Sequence, residues 1–328
     1  MLALSIKNIV TIACLCVWVS VSVAAETGVS ITGKKVFYVD SYHVGYEWSD
    51  GIMQGIQQVL KAEGSEIILQ TFYMDTKRGE PDDAAIQAIA LRVREEITKF
   101  NPDVLIACDD SAVKFLIKPY YKDADLPVVF CGINWDAGIY GLPYKNTTGM
   151  IEISLINEII AHISKYARGS KIGYLAGINN SPKNIEYAKK LFNINYDKVY
   201  IVSSVDEWKA YFRRLQDEVD MVIFGNFSNL EGINKDDILK FVLENQKIPT
   251  GTDLPWHSEH TLITFAKSPE EQGQWATQTA LDILKGKNPS DIPIMHNAKG
   301  KLYINLKLGN QLRIAFAPAL LKMATIIK

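Results

Sequence analysis

The chain has 328 residues, 48% hydrophobic, 22% charged and 10% aromatic, with 35 Lys and Arg against 37 Asp and Glu for a formal charge of −2. That length accommodates two lobes of ordinary domain size, and near-neutrality removes nucleic acid as a main partner. The apolar fraction, with 21 Gly and 12 Pro, excludes a disordered or collagen-like chain, and only one stretch is apolar enough to enter a bilayer, which excludes a channel.

That stretch comes first. Lys7 precedes an apolar run over 9–23, and Val23-Ala24-Ala25 offers the small residues of a cleavage site. Residues 1–25 are therefore predicted to be a signal peptide cut near Ala25, which places the mature chain in the periplasm. Cys14 and Cys16 leave with it. Cys108 and Cys131 remain, each at the end of a strand-like run, and read as small buried hydrophobes. Whether they are bridged depends on strand geometry.

Short β-branched runs then alternate with helical spacing. Strands are predicted over 36–39, 67–72, 103–107 and 128–130. One intervening helix carries Ile52, Ile56, Val59 and Leu60 on one side and stops at Gly64; another carries Ile86, Ile89, Val93, Ile97 and Phe100. Apolar strands separated by helices indicate a parallel sheet covered on both faces. The pattern restarts with strands over 171–176, 198–202, 221–224 and 248–250. Its helices carry Ile185, Ala188 and Leu191, then Trp208, Phe212 and Leu215, then Ile238, Phe241 and Val242. Ser204 with Glu207 forms a capping box, Ser181-Pro182 opens a helix, and Ser268-Pro269-Glu270-Glu271 opens a last long one to about Lys285. The predicted architecture is α/β, two doubly wound parallel-sheet lobes joined by a hinge near 149–154.

In open parallel sheets ligands sit at the carboxyl ends of the strands. Those ends carry the segments over 40–50, 108–111 and 132–135 in the first half, and 177–181, 225–228 and 252–257 in the second. Each small polar residue alone could simply cap the following helix. Six strand ends carrying polar groups interleaved with Tyr and Trp point instead to a small-molecule site, with aromatic faces covering the body of the ligand. Catalytic signatures are thin: there is no GxSxG, no P-loop, and no GxGxxG after the first strand. Side chains of the adjacent Asp109 and Asp110 diverge, and the His257-x-x-His260 pair, with Glu259 between, has no evident third and fourth metal ligand. No enzymatic turnover, metal or cofactor is expected.

The segment Val36-Phe37-Tyr38-Val39-Asp40-Ser41-Tyr42-His43, with Tyr46, Trp48 and Gly51-Ile52-Met53-Gln54-Gly55-Ile56, resembles the periplasmic substrate-binding components of ABC transporters. More narrowly, it is similar to the subfamily whose relatives also serve as sensor domains outside histidine kinases. Pro127-Val128-Val129-Phe130-Cys131-Gly132-Ile133-Asn134, Ser268-Pro269-Glu270-Glu271-Gln272-Gly273 and Tyr303-Ile304-Asn305-Leu306-Lys307 fit the same pattern, which spans essentially the whole mature chain. Residues 309–317 depart from the regular Gly-Ile-Pro ending of such proteins. The resemblance implies a type I periplasmic-binding fold whose chain crosses between lobes more than once. It puts 34–151 and about 266–290 in lobe one and 152–265 in lobe two, with 291–328 as a tail at the hinge or on lobe two. Carried over position by position, Ser41, Tyr42, Tyr46, Asp110, Ser111 and Asn134 from lobe one and Asn180, Asn226, Asp253 and Trp256 from lobe two would then hold a ligand in the interlobe cleft, with Glu152 by the hinge. An amino acid-like, aromatic ligand is expected, with an ABC permease as partner or, alternatively, a membrane receptor such as a histidine kinase. A monomer is the expected state.

Overall fold

The computed structural model describes residues 29–178 and 181–328. The predicted signal peptide and Asn180 lie outside the described residues. In chain order the elements of the first half are β1 (Lys35–Asp40), α1 (Glu47–Glu63), β2 (Ile68–Tyr73), α2 (Asp83–Phe100), β3 (Val104–Cys108), α3 (Asp109–Ala112), α4 (Lys118–Tyr120), β4 (Val128–Asn134) and β5 (Thr147–Glu152). There follow α5 (Ile156–Ile163), β6 (Ile172–Gly177), α6 (Ser181–Phe192), β7 (Lys198–Val202), α7 (Val205–Glu218), β8 (Met221–Phe224), α8 (Lys235–Asn245), β9 (Thr250–Thr252) and β10 (Ile263–Lys267). The chain closes with α9 (Pro269–Leu284), β11 (Met295–His296), β12 (Gly300–Asn305), α10 (Leu306–Gln311), α11 (Pro318–Met323) and β13 (Thr325–Ile327).

Two sheets result. The first has the order β11-β5-β4-β3-β1-β2, and all its pairings are parallel. The second has the order β13-β12-β10-β9-β8-β6-β7 and is parallel except where β12 runs antiparallel to β10. Strand alternation sends Val36 and Tyr38 to one face of the first sheet and Phe37 and Val39 to the other. The former pack with Ile52, Ile56, Ala276 and Ala280, the latter with Ile86, Ala90 and Val93. Both faces are therefore covered by helices, and only the strand ends and edges remain open. In the second sheet Trp208 is the centre of the core, ringed by Phe212, Phe224, Phe227 and Phe241.

The chain passes between the sheets three times: after β5, between β10 and α9, and between β11 and β12. The second passage brings α9 onto α1 against the first sheet. Glycine makes that approach close. A Cβ on Gly55 would stand 2.2 Å from the Glu270 carbonyl oxygen, and one on Gly273 would stand 2.0 Å from that of Ile52.

Several local expectations change. The stretch over 149–154, read as a join, holds the end of β5 and the start of the crossing that follows it; Thr and Gly in β5 disguise its buried pairing with β4. The segment over 291–328 serves both sheets, because Met295 and His296 pair with β5 while β12 and β13 extend the second sheet. A two-residue strand leaves no periodicity to read. Ser204 caps α7 as expected, accepting from Glu207 N at 3.2 Å, while the Glu207 carboxylate accepts from Ser203 N. The Ser268 side chain caps no backbone N–H of α9, since its hydroxyl donates to the Glu270 carboxylate at 2.7 Å.

Candidate functional site

The carboxyl edge of the first sheet is organised around buried acids. Asp40, at the end of β1, accepts from Tyr38 OH at 2.5 Å, from Tyr42 N at 2.7 Å and from Ser49 Oγ at 2.8 Å. Burial raises its pKa despite these donors. Asp109, at the end of β3, is wholly buried and accepts from Trp48 Nε1 at 3.1 Å and from the Cys108 thiol. Burial, reinforced by the charges of Asp40 and Glu152, holds its carboxyl well above the ordinary range.

The predicted residues on this edge divide into two kinds. Ser41 is wholly buried; its hydroxyl donates to Cys108 O at 2.6 Å and accepts from Ala112 N at 2.9 Å, so it clamps β1 to β3 instead of standing on the wall. Asp110 is half-buried and held open by Asn134 Nδ2 at 2.8 Å and Tyr140 OH at 2.7 Å, which joins two predicted residues in one cluster. Ser111 Oγ accepts from Thr76 Oγ1 at 3.4 Å. Tyr42 and Tyr46 meet edge to face, with ring centroids 5.0 Å apart. Burial and the nearby Asp109 and Glu152 charges raise the Tyr42 phenol.

On the second sheet, Asn226 Oδ1 accepts from Ser228 N at 3.0 Å and from Trp256 Nε1 at 3.4 Å, which brings two more predicted residues together. Trp256 is 48% exposed, a large indole left in the open beside a polar edge. Asp253 follows β9 and is half-buried.

Between these edges lies the floor. Lys267, the last residue of β10, donates to Glu152, the last residue of β5, in an ion pair whose side chains are 19% and 10% exposed. Burial works against the lysine charge, but Glu152, Asp253 and Asp109 outweigh it and lift its pKa above the ordinary value. One ammonium thus feels acids from both sheets. The bonds of Asp110 stay in the first half and those of Asn226 in the second, while Glu152 and Lys267 join the halves at two of the crossovers.

Residues 44–328 match the family of ABC transporter substrate binding proteins. The chain belongs to that family.

Solved substrate-binding proteins share the fold. The ligand-free, open CD0873 from Clostridium difficile, a substrate binding protein with adhesive properties, is 18% identical over 90% of this chain and 99% of its own, with a TM-score of 0.69. An ABC domain in complex with L-Trp from Streptococcus pneumonia is 20% identical over 90% and 99%, at 0.54. A periplasmic ribose ABC transporter from Conexibacter woesei is 16% identical over 91% and 100%, at 0.56. No curated protein matches the chain.

Within this substrate-binding protein, the histidines near the second wall belong to the packing. His257 is buried and stacked on Phe227 at 3.7 Å, and its Nε2 accepts from Phe227 N at 3.3 Å. Burial pushes its pKa down to about 3 and lowers that of His260 in the same way. Cys108 and Cys131 are Cα partners across β3 and β4, buried with free thiols.

A second contact joins the halves away from the floor. Trp135 stacks on Tyr187 of α6 at 5.5 Å and donates to Asn184 Oδ1 at 3.1 Å, while Lys190 pairs with Asp136 at 3.2 Å. Sequence reasoning missed Lys267, Trp48, Asp109 as a buried acid, and this contact. Lys267 was within reach, since it immediately precedes the Ser268-Pro269 helix start, where a strand must end.

Proposed function

We propose that the chain is an extracytoplasmic solute-binding protein that captures a small, amino acid-like ligand with an aromatic part and hands it to an ABC importer. The observation that carries this reading is the floor: a buried Glu152–Lys267 pair joining two edges that each present half-exposed polar groups beside an aromatic face. Ligand groups that reach both edges favour the arrangement in which the edges are close. Differential affinity of that kind shifts the population toward closure. Three crossovers, each only a few residues long, are suited to absorb the rotation.

In this reading the lobes take 34–151 with about 266–290, and 152–265. Tyr42, Tyr46, Asp110, Ser111, Asn134 and Glu152 face Asn226, Asp253 and Trp256, with Ser41 supporting from behind. The output is the closed shape, with no chemistry on the ligand, and it acts as a monomer outside the cytoplasm. The family match supports delivery to an importer over action on a membrane receptor. Titration calorimetry of residues 26–328 against amino acids, nucleosides and short carboxylates tests the proposal. Saturable heat from an amino acid is expected; heat from sugars alone overturns the ligand class.

A further inference from the structure

The first edge also carries a cation, in the loop that follows β2. After β2 the chain is strapped to the start of the site by three backbone bonds: Met74 N to Asp40 O at 2.8 Å, Asp75 N to Tyr42 O at 2.8 Å, and Thr76 N to Ser41 O at 2.9 Å. The next residue is Lys77. Its Nζ stands 4.6 Å from the Tyr42 ring centroid and 4.8 Å from that of Tyr46, and donates to Tyr46 OH at 3.0 Å. Two predicted ligand-binding rings therefore hold one ammonium between them.

That ammonium has no carboxylate partner among the described residues. The adjacent Arg78 differs: its Nε and Nη2 donate to both carboxylate oxygens of Asp75, at 2.6 to 3.0 Å, and Asp75 neutralises it. A lysine ammonium has three donors, and Tyr46 takes one. Cation–π contact fixes its position while leaving its side away from the rings open to an anion. Tyr42 also feels the Asp109 and Glu152 charges, which together with burial raise its phenol. On the opposite wall Asp253 accepts no hydrogen bond from any described residue. Lys77 thus brings a cation to an edge otherwise lined by carboxylates, while Asp253 stands across from it with Lys267 as its nearby cation.

Resting on the cleft reading above, we propose that Lys77 receives the anionic end of the ligand, so that the cleft selects small molecules bearing a carboxylate. A zwitterion satisfies both walls, with its ammonium toward Asp253. An amine lacking the carboxylate leaves Lys77 unmatched.

Three probes with one ring separate the charges: L-tyrosine, tyramine and 4-hydroxyphenylacetate, with L-tryptophan, tryptamine and indole-3-acetate as a second series. Calorimetry on residues 26–328 is expected to show binding by carboxylate-bearing members and to rank tyramine and tryptamine weakest. Lys77→Met should weaken the carboxylate-bearing members roughly tenfold or more. Lys77→Arg should restore most of that loss, and neither change should affect the amines. A thermal-shift screen of cationic, zwitterionic and anionic metabolite sets extends the test beyond aromatic probes, and melting of both variants without ligand confirms their fold. Unchanged affinity in Lys77→Met, or binding confined to cations, overturns the role of Lys77 and leaves the cleft reading standing. No binding by any set overturns the cleft reading and Lys77 with it.

Discussion

Replacing Lys267 with Met tests the floor of the cleft, because it strips the charge and keeps most of the stem. The Glu152 side chain is only 10% exposed and would be left without its cation, with the Asp109 and Asp253 charges nearby. Breaking a buried pair on one side costs about 3–5 kcal/mol, whereas removing both charges together is often neutral. With the lysine still 19% exposed, the lower end, about 3 kcal/mol, is the value to expect. Against a total stability of about 5–15 kcal/mol that is a visible loss. Urea denaturation of the parent, Lys267→Met, Glu152→Gln and the double variant measures it as a cycle. The double variant should recover most of what either single change loses, leaving a coupling of about 2 kcal/mol or more. The pH dependence has a definite sign. Lys267 has a folded pKa above its unfolded one, so its contribution is complete below about pH 10.5 and fades as pH rises through the folded value. Additive single effects, or a loss under about 1 kcal/mol in Lys267→Met, would refute the buried-pair argument.

Gly273→Ala should lower the urea midpoint by about 1–3 kcal/mol of stability, because a Cβ 2.0 Å from the Ile52 carbonyl forces α1 and α9 apart; an unchanged midpoint contradicts that packing. His257 is held near pKa 3 against 6.5 in an unfolded chain, so its contribution is complete above pH 6.5 and is lost as pH falls toward 3. His257→Asn should flatten the slope of stability between pH 7 and 4, read from urea midpoints, whatever it does to the absolute value. Cys108 and Cys131 are fully buried, and burial raises the Cys108 thiol further. Neither should react with a thiol reagent in the native protein, and both should react in denaturant; rapid native labelling would show that β3 and β4 open.

The legible elements were those with a full period. Val36 to Val39 and Met221 to Phe224 read as strands because both faces are covered and every residue is apolar. Helix α7 read cleanly because Trp208, Phe212 and Leu215 recur at helical spacing behind a working cap. β5, β11 and β13 did not, since Thr and Gly in one and only two or three residues in the others carry no pattern of their own; their pairing partners supply the order. Within the site, Asp110 with Asn134 and Asn226 with Trp256 were readable as strand-end residues. Ser41 was misjudged because a hydroxyl at a strand end looks the same whether it faces a ligand or a neighbouring carbonyl.

From its letters alone this protein was legible as two parallel sheets with polar and aromatic strand ends, because periodicity and turn chemistry are local properties. The tertiary structure alone decided that Glu152 meets Lys267 across 115 positions of chain. It alone decided how closely α9 packs on α1 and that Lys77 lies on two tyrosine rings. Those choices are set by how crossovers return the chain and by which charges burial forces together, and neither leaves a mark on any short stretch of sequence.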